Sequence, residues 1–123
     1  MIESIEKAVW GRTLTLKVVP AYTEREDVPA VQELALEGIL AAWDVVDASL
    51  DELREYCLAN GVDEEGMPNV FRFVMPTEIY LDSVTNHRVV ALMCEYRPDP
   101  EHGLAIVFED ERLREIGPQD IIL

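Results

Sequence analysis

Polar and apolar residues alternate near the N-terminus of the chain. Leu14, Leu16 and Val18 are separated by threonine or lysine, which is the two-residue period of a half-buried strand. An apolar patch that ends at Trp10 and a break at Gly11 come before this run. The pattern therefore predicts a β-hairpin at the start of the chain.

The periodicity becomes helical over Val28 to Trp43. At about 100° per residue, the apolar side chains of this segment gather in one arc of about 180°. The members of this apolar arc are Val28, Val31, Ala35, Leu36, Ile39, Leu40, Ala42 and Trp43. An arc this wide favours a helix held between a sheet and a second helix. The alternative is that part of the arc forms a dimer surface.

A second helix is predicted to begin at Ser49. Ser49 and Glu52 have the spacing of a capping box, in which each side chain accepts a hydrogen bond from the backbone at the other position. Leu53 and Cys57 continue one apolar face, and Gly61 supplies a left-handed stop.

The composition becomes strand-like after residue 68. The predicted strands are Val70 to Val74, Glu78 to Leu81, Arg88 to Tyr96, Leu104 to Glu109 and Arg112 to Ile116, with a further pairing at Ile121 to Leu123. Pro76 restricts pairing near it to an edge or a bulge. We therefore predict one α+β domain over residues 1–123: an N-terminal β-hairpin, two helices and an antiparallel β-meander, with the helices packed on one face of the sheet.

Charge narrows the range of partners. The chain has 25 acidic and 10 basic residues, so its formal net charge at pH 7 is -15. Because this field repels polyanions, we predict that the protein binds neither nucleic acid nor membrane surfaces. The start of the chain lacks the blocks of a signal peptide, and we expect a cytoplasmic protein. Cys57 and Cys94 form no C-x-x-C pair and are predicted to be buried thiols.

Clusters of carboxylates form the first candidate site. Those that we assign to a binding surface are Asp51, Glu55, Asp63, Glu64, Glu65, Glu109, Asp110 and Glu111. Such a surface favours docking of a basic partner protein, because complementary potentials accelerate encounter and fix orientation. The alternative is a surface whose acidity serves solubility alone.

The most distinctive string is D-P-E-H-G-L-A-I-V-F at residues 99–108. It opens with a turn made of Asp99, Pro100, Glu101, His102 and Gly103, in which the glycine is free to adopt a positive φ. We interpret this turn as structural, with the Glu101 carboxylate and the His102 ring bound to loop backbone. An alternative is a metal or acid–base centre at Asp99, Glu101 and His102, but no H-E-x-x-H or C-x-x-C motif is present to complete it. The sequence therefore predicts no metal and no cofactor.

This string, followed by E-I-G-P-Q-D at residues 115–120, resembles a group of small acidic bacterial domains of unknown function. The resemblance extends to immunity proteins of polymorphic toxin systems, with which we associate some of these domains. The resemblance implies an α+β fold and a bacterial source, and it supplies no catalytic residue.

Motifs for catalysis are absent from the sequence. The serines lie in no G-x-S-x-G elbow, and no phosphate-binding glycine loop is present. We therefore predict a non-catalytic protein-binding domain of the immunity or inhibitor type. Two alternatives are a self-associating structural domain that forms a homodimer, and a small metal-dependent enzyme centred on the Asp99–Glu101–His102 loop.

Overall fold

The computed structural model describes residues 2–63 and 68–123. The described residues form six strands, β1 (Ser4–Val9), β2 (Arg12–Pro20), β3 (Val74–Leu81), β4 (Val89–Tyr96), β5 (Leu104–Glu109) and β6 (Arg112–Gly117). They also form three helices, α1 (Val28–Ala41), α2 (Asp44–Ala48) and α3 (Leu50–Ala59).

The strands form one mixed sheet whose spatial order is the order of the sequence, β1 to β6. β1 and β2 pair as an antiparallel hairpin that turns at Trp10 and Gly11. β2 and β3 are parallel, and the helices between them form the crossover connection that a parallel pair requires. β3 to β6 form an antiparallel meander. The predicted α+β architecture is confirmed. The sequence pattern did not predict that β2 and β3, which join the hairpin to the meander, are parallel.

Pro76 lies within an interior strand, where it has no backbone N–H to donate to a neighbour. The pairing of β3 with β4 shifts its register between Pro76 and Glu78. This irregularity confirms the prediction that the proline requires an edge or a bulge.

The strand predicted over Val70 to Val74 is wrong in its first part. Residues Val70–Arg72 form a short 3-10 turn, and β3 begins only at Val74. Val70 is buried, and the next residue, Phe71, also packs against the core. Adjacent residues that both face inward fit a tight turn, whereas a strand sends them to opposite faces.

The pairing predicted at Ile121 to Leu123 is also wrong. Pro118 ends β6, and Gln119–Ile121 forms a second 3-10 turn. Ile122, which follows this turn, is buried against the sheet. The apolar composition here therefore reflects packing and not strand pairing.

The helices differ from the predicted pair in two respects. α1 has Pro29 in its first turn, and it ends at Ala41; the separate short helix α2 follows. The Ser49 hydroxyl donates a hydrogen bond to the Val46 carbonyl at the end of α2 and does not cap α3, so the capping-box prediction is wrong. Gly61, with φ +93°, follows the end of α3 and confirms the predicted left-handed stop.

The main core lies between the helices and one face of the sheet. Leu36 and Ile39 of α1, Val46 of α2 and Leu53 of α3 belong to this buried cluster, together with strand residues such as Leu92. Four members of the apolar arc are buried, and Leu40 and Trp43 pack at the margin of the core. Most of the arc is therefore covered within the chain.

The opposite face of the sheet carries a smaller cluster. Ala91 and Met93 of β4 pack with Ala105 and Val107 of β5, and Ile122 after the second turn joins them. β4 is thus covered on both faces, which explains its nearly continuous apolar sequence and agrees with its interior place in the strand order.

Two tryptophans join the N-terminal hairpin to the helices. The Trp43 indole N–H donates to the Ala8 carbonyl at 2.8 Å, and the Trp10 indole N–H donates to the Val46 carbonyl at 3.1 Å. The Trp10 backbone N–H donates to the Asp47 carboxylate. These bonds fix the hairpin relative to α2.

Candidate functional site

The three predicted carboxylates at residues 109–111 occupy the β5–β6 hairpin, and each forms a salt bridge with an arginine side chain. Glu111 forms a two-point contact with Arg88, with distances of 2.8 Å to Nε and 3.1 Å to Nη2. Asp110 accepts from the Arg88 backbone N–H at 2.9 Å and contacts His87 Nδ1 at 2.8 Å. Glu109 lies 3.5 Å from Arg114. These carboxylates therefore brace two neighbouring turns of the meander.

The turn that carries them has an unusual backbone. Asp110 and Glu111 both have a positive φ, of 49° and 62°, although neither is glycine. Their contacts to the β3–β4 loop oppose the cost of this conformation. The hydrogen bond from the Arg88 backbone, followed by that with His87, lowers the pKa of Asp110.

Asp51 and Glu55, the predicted carboxylates of the second helix, are exposed on α3. Glu55 lines a groove between α3 and β6 with a volume of about 600 Å³. We call this the acidic groove; its lining residues are Glu52, Glu55, Tyr56, Leu113, Arg114, Glu115 and Ile116. Glu52 also borders an adjoining hollow that contains Asp44. The acidic groove thus adjoins a hollow that carries one carboxylate of α2.

The helical layer as a whole is strongly acidic. Its seven carboxylates are all exposed, and they are Glu33, Glu37, Asp44, Asp47, Asp51, Glu52 and Glu55. The sequence of the three helices contains one cation, Arg54. None of the seven forms a salt bridge with a residue in the described part of the chain. Asp47 accepts the hydrogen bond from the Trp10 backbone, and the charge of the other six is available to a partner.

The third predicted acidic cluster follows α3. Asp63 is exposed at the end of the first described range. Glu64 and Glu65 lie outside the described residues. This cluster therefore contributes no geometry to the candidate site.

The turn at residues 99–103 connects β4 to β5. Asp99 is its centre: its carboxylate contacts His102 Nδ1 at 3.0 Å, and its carbonyl accepts from the Gly103 backbone N–H at 3.0 Å. Glu101 is exposed, as is His102. The predicted contact of the His102 ring with loop backbone is wrong, because the ring binds the Asp99 side chain instead.

A glycine allows this turn to pack against the end of the chain. Gly103 has φ +64°, and a Cβ at this position would lie 2.7 Å from the Gln119 side chain. Gln119 donates from its side chain to the Cys94 carbonyl at 3.1 Å and from its backbone to the His102 carbonyl at 3.0 Å. The string at residues 99–108 and the E-I-G-P-Q-D segment at residues 115–120 therefore contact each other in the fold.

Two findings concern the catalytic groups that the sequence offered, metal ligands and thiols. Across residues 2–63 and 68–123, no three His, Cys, Asp or Glu side chains are grouped so that they would hold a metal ion. Cys57 and Cys94 are both buried, and burial raises the pKa of each thiol. A thiol whose pKa is raised in an apolar setting is a poor nucleophile at neutral pH.

A second groove was not predicted from the sequence. It has a volume of about 510 Å³ and lies where the 3-10 turn at residues 70–72 meets β3 and β4. We call it the arginine groove; its lining residues are Phe71, Arg72, Phe73, Met75, Glu95, Tyr96, Arg97 and Pro100. The alternation of Phe and Arg at residues 71–73 is the sequence signal that would have indicated it.

The profile of a domain family of unknown function, DUF6985, matches residues 4–123. The chain belongs to the DUF6985 family. The match covers both grooves and the turn at residues 99–103. It does not link this DUF6985 domain to the immunity proteins that the sequence resemblance implied. Comparisons with curated proteins and with solved structures found no match.

The helices of this DUF6985 domain are short. None in the described ranges has both the length and the apolar character needed to cross a membrane.

Proposed function

We propose that this DUF6985 domain is a non-catalytic binding module that docks a basic, extended segment of a partner protein in the acidic groove. The observation that carries the proposal is the position of that groove, which lies between an unpaired acidic helix face and the last strand of the sheet among the described residues. An inhibitor or immunity role, in which the carboxylates cover a cationic site of the partner, is its most concrete version.

The backbone of β6 is the first feature that supports docking. β6 is the last strand in the sheet order, so one of its sides has no strand neighbour among the described residues. Such an edge presents backbone N–H and C=O groups to an incoming strand, and adding a strand is a common mode of peptide recognition. Leu113 and Ile116 of β6 are half-buried and give the groove an apolar floor.

The charges of the groove are the second supporting feature. Glu52, Glu55 and Glu115 are exposed along it. The single cation of the lining, Arg114, lies 3.5 Å from Glu109 and 3.6 Å from Glu115, so its charge is largely offset. Lysine or arginine side chains of a bound segment would therefore meet a net negative surface.

The test is affinity capture from the native lysate with three forms of the tagged protein, at low salt and at about 0.5 M salt, where exposed charge pairs are strongly screened. The forms are the wild type, Glu52→Gln/Glu55→Gln and the control Glu3→Gln/Glu26→Gln. Both double variants remove two exposed carboxylates that form no salt bridge with described residues, so they change the net charge equally.

We expect a basic partner that the wild type and the control retain at low salt and lose at high salt. The groove variant should retain about tenfold less of it, because two rim contacts of roughly 0.7 kcal/mol each are lost. Equal retention by the two double variants would contradict the proposal.

A second copy of the chain is an alternative occupant of the β6 edge. Light scattering at tens of micromolar distinguishes it, since self-association would raise the mass to that of a dimer. A monomer at this concentration would leave a different protein as the partner.

A further inference from the structure

We propose that the arginine groove is a binding site for a small organic acid, that is, a carboxylate attached to an apolar or aromatic body. The site is separate from the acidic groove in its lining residues and in the sign of its charge. No residue is shared between the two linings, so the two proposals can fail independently.

The cations of the groove are available to a ligand. Arg72 and Arg97 are exposed and line the groove, and neither forms a salt bridge with any residue in the described ranges. A third arginine, Arg12, lies 4.4 Å from the ring centre of Phe71, which is also a lining residue. Two arginines thus line the groove and a third contacts one of its lining residues, in a protein with 25 acidic residues. The planar guanidinium group binds carboxylates through two parallel hydrogen bonds.

The walls of the groove suit an apolar body. Phe71, Phe73 and Met75 are half-buried, and Tyr96 is buried beside them. The guanidinium of Arg72 lies 5.9 Å from the ring centre of Phe73, so a cation and an aromatic surface are presented together. A volume of about 510 Å³ also falls within the range of about 300–1,000 Å³ that is typical of small-molecule sites.

Glu95 limits the charge of the ligand. It is exposed and lines the groove, so the lining carries two cations and one carboxylate. A net charge of this size favours a single carboxylate over a dianion or a phosphate. α3 lies close by, since the Tyr56 ring centre is 6.1 Å from that of Tyr96, but the carboxylates of α3 are exposed, and screening at physiological salt, with a Debye length of about 8 Å, weakens their repulsion.

The test is a titration of the full chain with phenylacetate and, separately, with the uncharged phenylacetamide, followed by backbone amide NMR. We expect phenylacetate to shift the amides of residues 71–75 and 95–97, with a Kd of about 1 mM for a ligand of this size. Phenylacetamide should bind at least about tenfold more weakly, because it cannot form a charged pair with arginine.

Three variants assign the contact. Arg97→Gln should weaken phenylacetate binding about tenfold, and the control Arg112→Gln, which removes an exposed arginine of β6 outside the groove, should leave it unchanged. Glu95→Gln should strengthen binding, which a damaged fold would not produce. The proposal is overturned if no amide shifts at about 10 mM ligand, if acid and amide bind equally, or if the two arginine variants behave alike.

Discussion

Single residues decide whether two turns of the meander can form, the β4–β5 turn at residues 99–103 and the turn of the β5–β6 hairpin. Gly103 shows this most clearly, since it combines a positive φ with two close neighbours. A Cβ at this position would lie 2.7 Å from the Gln119 side chain and 3.1 Å from the Cys94 carbonyl. The turn at residues 99–103 therefore depends on having no side chain at this position.

Gly103→Ala should lower the free energy of unfolding by about 2–3 kcal/mol, because it adds crowding to backbone strain. Gly11→Ala is the matched control: Gly11 has φ +85° with nothing within 4 Å of the added Cβ, so strain alone should cost about 1 kcal/mol. Urea unfolding of both variants measures the difference. An equal decrease in the free energy of unfolding in both variants would show that crowding against Gln119 does not contribute to the cost.

Asp110 gives the molecule a pH dependence at acid pH. Its pKa is lowered in the folded protein, chiefly by the Arg88 backbone hydrogen bond and then by His87. The ionised Asp110 carboxylate therefore stabilises the folded protein fully at pH values above about 3.9, the pKa of an aspartate in the unfolded chain. This stabilisation is lost as the pH falls through the lower pKa that Asp110 has in the folded protein.

Asp110→Asn should accordingly be less stable than the wild type at about pH 7, and the difference should shrink at about pH 3. Asparagine tolerates the positive φ at this position, so the comparison isolates the charge. The measurement is urea unfolding at both pH values, with Asp120→Asn, an exposed carboxylate outside the hairpin, as control. A difference that does not change with pH would contradict this account.

At the scale of elements, the N-terminal hairpin lies at the edge of the fold. β1 is an edge strand that pairs only with β2 among the described strands, and the Trp43 indole fixes it from the helical side through the Ala8 carbonyl. Lys7 also lies 5.4 Å from the Trp43 ring centre.

Trp43→Phe should cost about 1 kcal/mol or slightly more, because it removes one hydrogen bond and part of a half-buried ring. Amide hydrogen exchange should accelerate first in β1, whereas β4, which is covered on both faces, should retain its protection at that stage. Hydrogen exchange followed by NMR tests this directly. A uniform increase along the whole sheet would show that the hairpin has no separate stability.

The sequence predicted those elements whose pattern is set locally. The alternation in β2, the continuous apolar run of β4 and the bulge at Pro76 each follow from residues within one strand. The turn Val70–Arg72 was missed because adjacent apolar residues in a sequence fit either a turn or a strand, and only the surrounding core shows that both side chains face inward. Ser49 was misjudged because its partner belongs to a helix that the sequence pattern did not separate from α1.

The candidate sites were less predictable than the fold, because they depend on which distant residues meet. In the sequence, Glu109 and Glu111 form an acidic cluster that is open to a partner. In the fold, Arg114 and Arg88 lie beside these two carboxylates and form salt bridges with them. Glu55 lines a groove only because β6 lies next to α3 in the fold, and the sequence does not show this contact. The arginines of the second groove belong to different elements and were brought together by the pairing of β3 with β4.

For the whole molecule, the main feature is the separation of charge. The net charge is -15, and seven carboxylates without a salt bridge to described residues lie on the exposed side of the helices. Three arginines gather around the arginine groove. The two grooves therefore differ in local charge, and the encounter of each with its ligand should depend on salt.

The most direct test of the central proposal is a backbone amide NMR titration with a basic, extended hexapeptide that alternates lysine and valine. We expect shifts confined to residues 52–56 of α3 and 113–116 of β6, which disappear at about 0.5 M salt and are weakened in Glu52→Gln/Glu55→Gln but not in Glu3→Gln/Glu26→Gln. Shifts spread evenly over the acidic surface, or equal in the two variants, would contradict a defined docking site at the acidic groove.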